Sequence, residues 1–254
     1  MQGKRVLIFG AGDSVGRVTA ETFSAAGASV HISDVNAEAL NSTLAAAPRL
    51  TGTAGNVGDP SDVKRVVVAA MTAMGGIDAL VNFVGIAGPR SLVEDVTDAE
   101  WQESMQVNVA GTFYAMRSVI PLMKEQRAGA IVNISSASTR SGLPSRTPYV
   151  VSKYAVEGLT RNVAREVGPF NIRCNAVLPG ALKNARMDFV IERIAVARSV
   201  SPAEIESELL RYSSMRTRIE LQEIADMVVF LCSDRAPHIT GQLIEVSGGH
   251  EWEE

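Results

Sequence analysis

The chain has 254 residues, 46% of them hydrophobic and 20% charged, with a formal net charge of −4. That length and composition can bury a core without disulfide or metal staples, and the acidic balance lacks the basic stripe of a nucleic-acid surface. No apolar run approaches the roughly 18 residues of a membrane span, His31, His238, His250, Cys174 and Cys232 have no metal-ligand spacing, and the opening MQGKRVLIFGAG has no signal-peptide pattern.

In chain order, RVLIFG reads as a strand and runs through a glycine turn into a helix over 14–27. ASVHIS is a second strand, followed by a helix over 37–47, a weak strand at 50–54 and a helix over 61–75. DALVNFVG is a fourth strand, and 99–126 reads as one long amphipathic helix. AIVNIS, a helix over 149–168, IRCNAVLPG, a helix starting near Leu221 and QLIEVSGG complete the alternation. This rhythm predicts an α/β fold with a doubly wound parallel sheet of about seven strands and helices on both faces. We expect one domain over 1–254 whose ligand crevice lies at the carboxyl ends of the strands. Residues 181–215 break the rhythm as a helical insertion at that edge, where they read as a lid over a ligand. Packing or an oligomer contact is the alternative. Both cysteines lie in apolar runs and are expected as buried, reduced thiols of a cytoplasmic protein.

GAGDSVG carries Gly10, Gly12 and Gly16 between the first strand and first helix. Glycines there allow a tight turn that aims helix-start amides at a diphosphate. Asp34 ends the second strand, where a carboxylate can accept from both ribose hydroxyls of an adenosine. It could instead cap the next helix. Asp34 and Asp13 would both oppose a 2′-phosphate, so NAD is the expected cofactor.

The ordered motifs GAGDSVG, NFVG, VNVAG, NISSAS, YVVSK, NAVLPG and ITGQLIEVSGG extend over essentially the whole chain. Together they resemble the short-chain dehydrogenase/reductase family, in its compact single-domain, Rossmann-type branch. The resemblance implies catalysis by Asn108, Ser136, Tyr149 and Lys153. It implies cofactor contacts from Gly10, Gly12, Ser14, Val15, Gly16, Asp34, Asn56, Val57, Asn82, Gly85, Tyr149, Lys153, Pro179, Gly180 and Leu182. It also implies a homotetramer paired through the helices at 98–126 and 149–168; Trp252 could reach a neighbouring subunit. Several positions depart from the pattern. Ser14 replaces the middle glycine, Phe83-Val84 interrupts the usual Asn-Asn-Ala-Gly, Asn56 stands for an aspartate, and Asn184 stands for a threonine.

The implied chemistry interconverts a secondary alcohol and a ketone. Tyrosine ionises near about 10, and bringing it to roughly 7 takes about 4 kcal/mol. Lys153, one helical turn on, is the implied source, because an adjacent ammonium favours a phenolate. Ser136 lies 13 residues before Tyr149, at the family offset of the serine that holds the substrate oxygen; Ser135 and Ser138 fit that offset less well. Asn108 matches the asparagine behind the lysine. Each of the four has an ordinary structural reading when taken singly. Ser152 carries secondary weight, and Tyr154 has no assigned role. Arg90, Arg140, Arg146 and Arg186 lie on segments expected to rim the crevice. At least one is expected to hold an anionic group of a small-molecule substrate such as a hydroxy acid. Met187, Phe189, Val190 and Ile194 could cover an aliphatic body or form a core stripe. Two further readings stay open: a 3-oxoacyl reductase using NADPH, and a catalytically silent nucleotide-sensing scaffold.

Overall fold

A computed structural model describes residues 1–250; Trp252 lies outside them. Seven strands form one parallel sheet: β1 (Arg5–Phe9), β2 (Ser29–Ser33), β3 (Leu50–Gly52), β4 (Ala79–Asn82), β5 (Gly129–Ile134), β6 (Ile172–Pro179) and β7 (Leu243–Val246). Their order is β3-β2-β1-β4-β5-β6-β7. Successive residues of β1 serve opposite faces. Val6 and Ile8 join one core with Phe23, Leu40, Ile224 and Val228, whereas Leu7 and Phe9 join the other with Val66, Met116 and Val119. Burial on both sides explains why β1 reads as a continuous apolar run, VLIF, without alternation.

The helices on the first face are α1 (Ser14–Ala25), α2 (Ala37–Ala46) and α10 (Leu221–Cys232); α3 (Pro60–Met74), α5 (Gly111–Gln126) and α7 (Thr147–Val167) cover the second. Their starts follow local chemistry. Asp13 caps α1, Asn36 caps α2, and Asp59 precedes Pro60 at the start of α3. Cys174 and Cys232 are buried and unpaired, and burial pushes both thiols up to about 12.

The helix expected over 99–126 is divided. α4 (Asp98–Met105) and α5 are joined by a π turn at Gln106–Ala110. Buried positions still recur every four residues across this turn, at Ser104, Asn108, Thr112 and Met116, so periodicity does not reveal it. The insertion region contains α8 (Ala185–Arg198) and α9 (Pro202–Leu210). They share a small core of Ile191, Ala195 and Ile205, against which Met187 and Ile194 pack, while Phe189 is exposed. A short helix, α6 (Ser138–Ser141), follows β5 and was not expected.

The connections from β1 and β4 leave the sheet toward opposite flanks. A crevice therefore opens between their carboxyl ends.

Candidate active site

The turn after β1 is built for close approach. A Cβ on Gly16 would lie 2.1 Å from the Gly10 carbonyl oxygen, and one on Gly10, whose φ is +75°, would lie 2.4 Å from the Phe83 carbonyl oxygen. Ser14, in place of the usual glycine, keeps the left-handed conformation at φ +50°. Its Oγ accepts from Asn184 Nδ2 at 3.2 Å. Asn184 Oδ1 meanwhile caps α8 by accepting from the Met187 amide at 2.9 Å. This departure from the family pattern therefore ties the glycine turn to the helical insertion.

Asp34 does not cap α2; Asn36 does. One Asp34 oxygen accepts from the Gly12 amide at 2.9 Å and the other from the Asn36 amide at 2.9 Å. A Cβ on Gly12 would meet the Asp34 carboxyl carbon at 2.9 Å, so glycine is what lets this carboxylate lie against the turn. Arg17, on α1, is already paired with Glu21 at 2.9 Å. Asn56 Oδ1 accepts from the Gly58 amide, its own amide is bound by Asp62, and Val57 packs against the α5 start at Gly111. Val15 is half-buried against the first core. Asn82 ends β4, donating to Asn133 at 2.8 Å and leaving its buried Oδ1 without a protein partner. On the other flank, Pro179 ends β6, Gly180 comes close to Ser247, and Leu182 pairs with Ile219.

Lys153 is 3% exposed on the inner face of α7. Its Nζ donates to the carbonyls of Val84 at 3.2 Å and Ile134 at 2.9 Å, the loops after β4 and the end of β5. An ammonium has three hydrogens, so one is left for a ligand. Burial without a carboxylate partner pulls this lysine down to about 8. Nζ lies 5.7 Å from the Tyr149 ring centroid. A Cβ on Gly85 would come within 2.9 Å of Nζ and 3.6 Å of Asn108 Oδ1. The glycine of NFVG thus makes room for both.

Asn108 sits in the π turn and is fully buried. Its Oδ1 accepts from the Ile86 amide at 2.8 Å, and its Nδ2 donates to the Ile86 carbonyl at 3.0 Å and to Ser152 Oγ at 2.9 Å. Ser152 Oγ donates to the Tyr149 carbonyl at 2.6 Å. Ser152 therefore links Asn108 to the tyrosine's own turn, a role that its place in the sequence did not reveal. Thr112 donates to the Asn108 carbonyl at 2.8 Å, satisfying a group within the π turn.

The three serines after β5 have different surroundings. Ser135 Oγ is buried and donates to Glu157 at 2.8 Å. Ser138 donates its hydroxyl to Ser136 Oγ at 2.9 Å, leaving the Ser136 hydroxyl hydrogen free to point elsewhere. Glu157, four residues beyond Lys153 on α7, also accepts from Thr139 at 2.6 Å and Arg140 at 3.3 Å. It thereby holds residues on both sides of Ser136. Tyr154 donates to the Thr139 carbonyl. These two anchors were missed because their partners are distant in sequence.

The four rim arginines separate. Arg140 lies between Glu157 and Glu245, the latter 3.9 Å away, and so has its counterions within the protein. No carboxylate among the described residues pairs with Arg90, Arg146 or Arg186. No cluster of metal-binding side chains occurs among the described residues, and no described helix is long and apolar enough to cross a membrane.

The cradle fits a dinucleotide: glycines that admit no side chain, a carboxylate on the turn and a lysine hydrogen without a partner. Comparison with known proteins agrees. A family profile described as enoyl-(acyl carrier protein) reductase matches residues 10–251. Levodione reductase of Leifsonia aquatica is 32% identical, with 96% of this chain and 92% of the relative covered. A 3-oxoacyl-[acyl-carrier-protein] reductase of Thermotoga maritima is 35% identical, with 98% of each chain covered. The crystal structure of an NAD⁺-bound xylitol dehydrogenase superposes with a TM-score of 0.92 at 28% identity, covering 98% of this chain and 99% of that one.

Proposed function

The chain belongs to the short-chain dehydrogenase/reductase family, and from that membership we propose that it oxidises a secondary alcohol to a ketone with NAD, or runs the reverse reduction, using Tyr149, Lys153, Ser136 and Asn108. At the level of class it is an oxidoreductase that acts on CH–OH groups and binds a nicotinamide cofactor. The observation that carries the finer reading is Lys153. A buried ammonium held only by two backbone carbonyls, one turn from a tyrosine, is costly unless its field is used.

In the oxidative direction Tyr149 Oη takes the proton of the substrate hydroxyl. Lys153 stabilises the phenolate by its charge and keeps one hydrogen for a ribose hydroxyl. Ser136 holds the reacting oxygen. Asn108, clasped on Ile86 and joined to Ser152, fixes the floor beneath Lys153. The bound nicotinamide supplies the hydride acceptor or donor. Residues 181–215 act as the lid, attached to the glycine turn through Asn184 and Ser14. Exposed Trp101, Phe113 and Val151 on α4, α5 and α7 support pairing of copies into a homotetramer, and the two unpaired cysteines support a cytoplasmic setting.

NAD is favoured over NADP because the Asp34 carboxylate lies against Gly12 on the glycine turn, where its charge would oppose a 2′-phosphate. A 3-oxoacyl reductase using NADPH is the second reading, supported by the Thermotoga maritima relative. Asp34→Asn separates the two. It removes a charge while keeping an acceptor, and hydrogen bonds to a charged group contribute about 1.5–3 kcal/mol. The ratio of kcat/KM with NADP to that with NAD should rise by about 10- to 100-fold. An unchanged ratio would remove the assigned role of Asp34.

A further inference from the structure

We propose that Arg146, assisted by Arg90 and Arg186, is the receptor for an anionic group on the substrate, so that the alcohol is a short hydroxyalkyl carboxylate, sulfonate or phosphate. The inference rests on the alcohol-oxidising role of Tyr149 and adds the substrate class.

Arg146 has an unusual place. It is the N-cap residue of α7, a helix of 21 residues, where the helix dipole disfavours a cation and favours an anion. Its guanidinium carbon lies 5.4 Å from the Tyr149 ring centroid. Its Nε is completely enclosed and has no hydrogen-bond partner. The preceding Ser145 is held at φ +61°, a conformation costly for a side chain other than glycine. Ser145 also accepts at its carbonyl from the Ser91 amide at 3.1 Å, which joins the Arg146 loop to the Arg90 loop. Arg186 opens α8 in the insertion. Burial lowers the Arg146 guanidinium from its ordinary value; Arg90 and Arg186 lower it further, and Tyr149 acts in the opposite sense.

Arg146 thus lies beside the proton-transfer tyrosine, with Arg90 on the loop joined to its own and Arg186 near enough to act on its charge, and no carboxylate among the described residues pairs with any of the three. Arg140, on α6 six residues earlier, shows the contrast, because Glu157 and Glu245 flank it. A half-buried guanidinium with no counterion is destabilising unless a ligand completes it. The fork geometry suits a carboxylate, sulfonate or phosphate equally. Since Arg146 is only three residues before Tyr149 and lies against its ring, the anion and the carbinol must be separated by a short chain.

The test compares the parent with Arg146→Gln, Arg146→Lys, Arg90→Ala and Arg186→Ala. Probes are 3-hydroxybutyrate, its amide, hydroxypropanesulfonate and hydroxypropyl phosphate, with NAD affinity measured separately by titration. Arg146→Gln should raise KM for the acids by about 30-fold or more, because truncating one partner of a buried charge pair has effects of that size. The amide should change by less than about threefold, and Arg146→Lys should recover part of the loss. Arg90→Ala and Arg186→Ala, at exposed positions, should show smaller losses with the same selectivity. The three acids identify which anion is preferred. Equal losses for acid and amide, or a loss located in NAD affinity, would overturn the proposal; the latter would assign the arginines to the cofactor. If the parent turns over none of the probes, calorimetric binding of the same acids still reads the anion site. Acid binding that disappears in Arg146→Gln then supports the arginine receptor while the alcohol reading fails. Acids binding no better than the amide would reject the receptor.

Discussion

Tyr149→Phe is expected to lower kcat by about 10³–10⁴, at the upper end of what a positioned acid/base contributes. The upper end follows from the surroundings. Neither His nor a carboxylate is hydrogen-bonded to Tyr149, Ser136 or Lys153 among the described residues, so no second base stands ready. The Lys153 ammonium already donates to Val84 and Ile134. The Tyr149 hydroxyl makes no hydrogen bond within the described protein, so its removal should leave stability nearly unchanged. Affinity for the dinucleotide should stay within about threefold, since the glycine turn, Asp34 and Lys153 remain in place. Stopped-flow kinetics alongside cofactor titration checks both parts. A kcat within about tenfold of the parent would show that another group moves the proton.

Lys153→Met should be nearly as damaging to turnover and should also reshape the pH dependence of stability. On the proposed mechanism, removing the ammonium takes away the charge that favours a phenolate and the hydrogen proposed for the cofactor ribose. The stability effect has a definite sign. In the unfolded chain this lysine has an ordinary value of 10.5, whereas burial brings it to about 8 in the fold. Between those values the unfolded chain binds more protons, so the parent gains stability as pH rises through that window. Below pH 8 the buried ammonium is carried at full cost. From pH 7.5 to 9.5 the parent should therefore gain about 2 kcal/mol relative to Lys153→Met. Urea unfolding of both proteins at the two pH values measures the difference. A constant gap would mean that Lys153 is not desolvated as its contacts imply.

Much of the fold was legible because β1, β4, β5 and β6 are buried on both faces and are mostly apolar over their length. The π turn was not, because its cause is remote. Asn108 must reach both backbone groups of Ile86, 22 residues earlier in the chain, while the helix keeps its apolar stripe. For the same reason Ser152 and Glu157 gave no local signal; each acquires its role from a partner on another element. The arginines teach the complementary lesson. Arg140 and Arg146 lie on one short stretch between β5 and α7 and are the same residue type, and nothing in the sequence around them tells their partners apart. The fold places Glu157 and Glu245 beside the first and neither beside the second. Asn184 is similar: nothing local announces that its amide reaches Ser14 on the glycine turn, 170 residues earlier.

The most direct test of the central claim follows the transferred atoms. Secondary alcohols and hydroxy acids are screened with NAD, and the best substrate is prepared with deuterium on its carbinol carbon. The account predicts that parent enzyme yields ketone and reduced dinucleotide carrying that deuterium, while Tyr149→Phe binds NAD and yields almost none. Reduced dinucleotide without the label, or equal rates from parent and Tyr149→Phe, would contradict it.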